Sequence, residues 1–214
     1  MTDAYMFGYP REYDRCKNLS NSIIIGPKVM PFFKDGSGPQ LMLVGQDPTI
    51  YRKPERVKYV LMLNEENGQL SRWLMSLLGE DNYRRAKIYA TNLIKCLFSV
   101  PPSSAEQGGY RFLLPYFENC KHYLYLELTN YKPNLVLVFG EPAHRMFKSI
   151  LDNSHQIADS MKDAYTGKFA KAILTNYEFD YSPCLHIKTY RVAETYGEKV
   201  KAFNSGILKY FGRS

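Results

Sequence analysis

The chain has 214 residues, a length that favours one domain over two, and its 45% hydrophobic and 23% charged residues exclude a disordered or fibrous protein. With 28 basic and 21 acidic side chains the net charge is +7, which suits a polyanionic partner such as nucleic acid, or simply a soluble basic protein. No apolar run approaches the ~18 residues needed to cross a bilayer, and Asp3, Arg11, Glu12, Asp14 and Arg15 precede the first apolar cluster, so no membrane association and a cytoplasmic location are expected.

From residue 41 onward, short apolar runs alternate with longer helical patterns. Leu41-Met42-Leu43-Val44 reads as a buried strand ending at Gly45. Leu70, Trp73, Leu74, Leu77 and Leu78 recur at helix spacing within 69–78, and Gly79 stops that helix. A second strand is expected over 87–91, leading into Asn92, and a Pro/Ser/Gly-rich surface loop over 101–109. A long helix follows from about Tyr116 to Tyr131, ended by Lys132-Pro133. Leu135 to Phe139 is apolar throughout and reads as a fully buried strand, with a helix opening at Pro142. A strand at 172–174, an extended piece ending near His186 and a helix over about 192–210 complete the series. Such alternation predicts one α/β domain over residues 1–214, a three-layer α/β/α sandwich around a largely parallel sheet.

Sites in such folds lie beyond the carboxyl ends of the strands, which selects Gln46-Asp47-Pro48, Asn92 and the stretch 182–191. Asp47 is either a carboxylate held at the sheet edge for chemistry or an aspartate that caps its own turn. Asn92 likewise reads as a polar site residue or a cap. The histidines His122, His144 and His155 read as structural or exposed. Cys16, Cys96, Cys120 and Cys184 form no CxxC pair; they are metal ligands or small buried side chains.

Four blocks in order carry a resemblance: Gly45-Gln46-Asp47-Pro48, 88–96 (IYATNLIKC), Glu118-Asn119-Cys120 and 132–143 (KPNLVLVFGEPA). Together they resemble the uracil-DNA glycosylase superfamily, the last three its iron–sulfur-bearing branch. The resemblance implies a monofunctional DNA glycosylase that flips uracil, or a related damaged base, from DNA and hydrolyses its N-glycosidic bond for base excision repair. On this basis Asp47 orients water and stabilises the sugar cation, Asn92 reads uracil N3–H and O4, and Tyr59 stacks on the base. His186 takes the position of the histidine that hydrogen-bonds uracil O2, and Gln46 belongs to the same substrate-binding motif as Asp47. Thr49 stands where the uracil-specific branch has a tyrosine that excludes thymine, so a 5-substituted pyrimidine is also admitted. The Pro-Ser that follows the family's histidine is missing here, and Lys188 and Arg191 are the expected phosphate contacts in its place. Arg52 and Lys53 lie in a cationic and aromatic stretch that reads as a DNA-tracking surface or a solvated loop.

The cluster-bearing branch implies four cysteine ligands, and Cys16, Cys96 and Cys120 match three, with Tyr13 where the fourth would stand. We therefore expect no cofactor; a degenerate 4Fe-4S site would need Cys184 or an oxygen ligand. A monomer is expected. The altered last motif leaves an alternative, a non-catalytic member of the fold that binds DNA or free base, and a small-molecule enzyme using the same crevice is a further one.

Overall fold

A computed structural model of the chain describes residues 29–48, 57–95, 98, 102, 109–186 and 193–212. Six strands form one mixed sheet: β1 (Phe32–Lys34), β2 (Gln40–Gly45), β3 (Lys87–Asn92), β4 (Leu135–Phe139), β5 (Ala170–Leu174) and β6 (Tyr177–Cys184), in the order β1-β3-β2-β4-β6-β5. The four inner strands run parallel, and β1 and β5 pair antiparallel at the two edges. The expected parallel sheet is thus present, extended by two edge strands.

Strand periodicity assigns the two faces. Met42, Val44, Tyr89, Val136, Val138, Phe179 and Tyr181 point to one side, where α3 (Gly109–Tyr131) and α4 (Glu141–Lys148) pack with Leu113, Cys120, Leu124, Met146 and Phe147. Leu41, Leu43, Ile88, Ala90, Leu135, Leu137 and Cys184 point to the other. That side is covered by α1 (Gln69–Leu78), α5 (Met161–Ala164) and α6 (Ala193–Phe211), through Leu74, Leu77, Leu78, Met161, Phe203 and Ile207. The short α2 (Glu80–Arg85) buries no side chain and has no counterpart among the expected elements. On the second face Trp73 lies edge-on to Phe139, with ring centroids 5.8 Å apart.

Two expectations need correction. The long helix starts at Gly109, not near Tyr116, and carries Pro115 inside it. An interior proline removes one helical hydrogen bond, but the first two turns are held by an aromatic cluster of Phe98, Phe112 and Tyr116, with centroids 4.9–5.4 Å apart. The short extended piece before His186 is an eight-residue strand, β6, with Pro183 within it. Pairing with β5 ends at Tyr181, so Pro183 has a ladder partner only on the β4 side, where a strand tolerates the missing donor.

His144 is fully buried on α4. Its Nε2–H donates to the Ala158 carbonyl at 2.9 Å, so Nδ1 accepts the Tyr181 hydroxyl proton at 2.5 Å, as only the neutral ring allows. Burial holds its pKa below the ordinary 6.5. The unfolded chain therefore takes up a proton near pH 6.5 that the folded chain refuses until lower pH. Stability is complete above that value and declines as the pH falls below it. Thermal midpoints are expected to drop between about pH 7 and about pH 5 more steeply for wild type than for His144→Gln. Parallel slopes in a calorimetric series would remove His144 as the cause.

Candidate active site

All four inner strands end on the same edge of the sheet. The connection after β2 leads to β3 on one side, whereas the one after β4 leads towards β6 on the other. The chain therefore changes direction between β2 and β4, and a crevice opens outside those two strand ends.

Asp47 follows β2 at this crevice, half-buried, and its Oδ1 accepts a 2.5 Å hydrogen bond from Gln46 Nε2. Asn92 ends β3, is 5% exposed and is paired in register with Gly45. A β-carbon on Gly45 would fall 2.3 Å from Asn92 Oδ1 and 3.5 Å from Leu61 Cδ2. The Asn92 amide thus occupies the space that the glycine leaves. Beyond the strand ends, the N–H groups of Leu93 and Ile94 donate to the carbonyls of Gly45 (2.9 Å) and Gln46 (3.0 Å), so the Asn92 turn and the Asp47 turn are tied together.

His186 is exposed two residues past the end of β6. Cys184 pairs with Phe139, and Gly140 N–H donates to the Cys184 carbonyl at 2.9 Å, which continues the β4–β6 contact to the edge. The strands bearing Asp47 and His186 are two spacings apart, about 10 Å, with the end of β4 between them. There Gly140 turns the chain with φ 90°, and among the described residues no atom beyond its chain neighbours lies within 4 Å of the place its β-carbon would take.

Tyr59 has extended backbone, bridged to Met30 through hydrogen bonds from Met30 N–H to the Lys58 carbonyl and from Val60 N–H to the Met30 carbonyl, each 2.8 Å. The next residues form a 3-10 turn, Val60–Met62, in which Leu61 and Met62 hold left-handed backbone at φ 58° and 51°. Non-glycine residues adopt that conformation only where surroundings enforce it, and here the turn sets Leu61 against Gly45. Tyr59 itself is 38% exposed. Of the expected site residues, Gln46, Asp47, Asn92 and His186 thus share one edge, and Tyr59 adjoins it through Leu61. Thr49, Arg52, Lys53, Lys188 and Arg191 lie outside the described residues.

Cys16 and Cys96 also lie outside them. Cys120 is buried on the α3 face and its Sγ accepts the Lys95 N–H at 3.3 Å. Cys184 belongs to the opposite face, and burial there pushes its thiol pKa well up. The sheet separates these two sulfurs, so Cys184 cannot serve as fourth ligand beside Cys120. With four cysteines in the chain, at most three thiolates can gather on the Cys120 side, one short of an all-cysteine cubane. The cysteine set does not fit the cluster.

One group of buried residues was missed in the sequence. Lys95 Nζ donates to both Glu127 oxygens (2.9 and 2.7 Å) and to Thr91 Oγ1 (2.5 Å), matching the three protons of an ammonium. The hydroxyls of Thr91 and Tyr89 donate to Glu127 Oε1 at 2.9 and 3.1 Å. All four residues are buried. Removing one partner of such a pair leaves a bare interior charge, a loss of about 3–5 kcal/mol. The legible signal was Glu127 itself, a carboxylate on the stripe of Leu113, Phe117, Cys120 and Leu124 that faces the core.

The family model of the Uracil DNA glycosylase superfamily matches residues 32–204. No curated protein matches the chain.

Proposed function

Because the chain belongs to the uracil-DNA glycosylase superfamily, whose members bind DNA and generally hydrolyse N-glycosyl bonds, we propose that it removes uracil, or a related damaged base, from DNA and leaves an abasic site. What carries this reading is the gathering of Asp47, Asn92 and His186 on one sheet edge.

Breaking the glycosidic bond places positive charge on the sugar and negative charge on the base. A carboxylate at Asp47 faces the cation and orients the attacking water, and its interaction strengthens as the bond lengthens. The Asn92 amide offers a donor and an acceptor together, the pair that uracil O4 and N3–H require. An imidazole N–H of His186, on the far side of the β4 end from Asp47, stabilises the departing anion at O2. Tyr59, exposed beside the site, stacks on the flipped base. On this reading the enzyme is monofunctional, and the reaction stops at the abasic product without strand cleavage.

The test is base release from single- and double-stranded oligonucleotides carrying one uracil, with thymine and hypoxanthine mismatches in parallel. Release of uracil is expected, together with DNA affinity that falls steeply between about 50 and 200 mM salt as counterions compete. Salt-dependent binding without release of any base would replace the enzyme by a recognition protein. Affinity that ignores salt would overturn every nucleic-acid reading.

A further inference from the structure

Asn92, the last residue of β3, lies within the segment 91–95 where the strand passes into a turn, and both ends of that segment are fastened to the same carboxylate. Thr91 and Lys95 meet each other and Glu127 in the interior, so Glu127 on α3 closes the turn like a clasp. Leu93 and Ile94, between the fastened ends, donate to the carbonyls of Gly45 and Gln46 and so transmit the turn's position to the backbone before Asp47. An interior ion pair is a poor source of stability, because desolvation offsets most of the attraction and an apolar pair of similar volume serves as well. What an apolar pair cannot supply is direction: three hydrogen bonds from one ammonium hold the turn in one place.

We propose that Lys95 and Glu127, bridged by Thr91, are positioning residues that fix the Asn92 amide and the Asp47 turn for base excision. The proposal rests on the glycosylase reading for its kinetic consequence, though not for its structural one. A positioning residue acts on the alignment of reacting groups, where a displacement of about 1 Å costs on the order of 100-fold in rate.

The experiment compares the full-length wild type with the apolar pair Lys95→Met/Glu127→Leu and with Thr91→Val, which deletes only the bridging hydroxyl. The measurements are single-turnover uracil release, affinity for the same oligonucleotide without uracil, and hydrogen exchange at the Leu93 and Ile94 amides. The apolar pair is expected to unfold cooperatively and bind undamaged DNA as wild type does, while release slows on the order of 100-fold at unchanged KM. Exchange at Leu93 and Ile94 accelerates, and exchange in β4 does not. Thr91→Val is expected to slow release about 10-fold and carries the test if the double variant does not fold. Folded variants with wild-type release and wild-type exchange at these two amides overturn the proposal. If the wild type itself releases no base, the glycosylase reading fails, and the exchange rates alone decide the clasp: faster at Leu93 and Ile94 upholds it, unchanged refutes it.

Discussion

Asp47→Asn is expected to slow base release by about 10²–10³-fold, the scale on which enzymes lose rate when one preorganised electrostatic group is removed, with little change in affinity for DNA. The substitution is nearly isosteric. Its side-chain oxygen can still accept the proton from Gln46 Nε2 that Asp47 Oδ1 accepts at 2.5 Å, so the turn after β2 has no steric reason to move. What disappears is a full negative charge, which in the proposed mechanism lies beside the developing sugar cation and orients the water. Both matter in the transition state far more than in the bound ground state, so the loss falls on the chemical step and not on binding. Single-turnover release and fluorescence anisotropy on the same oligonucleotide separate the two. Equal release by variant and wild type would remove Asp47 from the mechanism, and a loss confined to affinity would recast it as a DNA contact.

Gly45→Ala is the second large effect, and its origin is purely one of space. The new methyl carbon would lie 2.3 Å from Asn92 Oδ1, well inside van der Waals contact, with Leu61 Cδ2 3.5 Å away. Neither the β2 ladder nor the buried Asn92 backbone has room to yield, since Gly45 and Asn92 are register partners. The amide must turn away, and with it the donor and acceptor proposed to read the base. We expect release to fall on the order of 100-fold, as for other misaligned reacting groups, and stability to fall by about 1–3 kcal/mol, as for an overpacked core. Combining Gly45→Ala with Asn92→Ala removes the clashing oxygen. The double variant is therefore expected to recover the stability of Asn92→Ala alone while remaining inactive, a non-additivity that a double-mutant cycle measures. Additive losses in stability would mean that the two residues do not collide.

The inner sheet was legible because parallel strands buried on both faces need no alternation: Leu41 to Val44 and Leu135 to Phe139 are apolar at every position. Elements with weaker internal patterns were lost or shortened. The strand β1 has three residues, α2 has a single core-packing side chain, Tyr83, among charged and polar ones, and β6 mixes Asp180, Ser182 and Pro183 into an apolar stretch. The start of α3 was obscured by Pro115, whose local preference is overruled by aromatic packing with Phe98, distant in sequence. At the candidate site, Gln46, Asp47 and Asn92 were legible because each follows or ends a recognisable strand. Leu61 and the Lys95–Glu127 pair were not. Their significance comes from contacts between segments far apart in the chain, and no local spacing encodes which interior carboxylate meets which ammonium.

The strand order has a consequence for how the protein is made. Neighbours in space are remote in sequence: Leu41 waits for Leu135, and Leu135 for Asp180. On a ribosome, the segment bearing Asp47 emerges long before the strand that must lie beside it, and the segment bearing His186 comes later still. A nascent chain stopped before β6 leaves β4 with one flank bare and the two halves of the crevice unjoined. Closing such long loops is slow, and unpaired strands invite association with other chains meanwhile. The Asp47 and Asn92 turns can be tied together before β6 is made, and the crevice is closed on its His186 side only when the last inner strand docks.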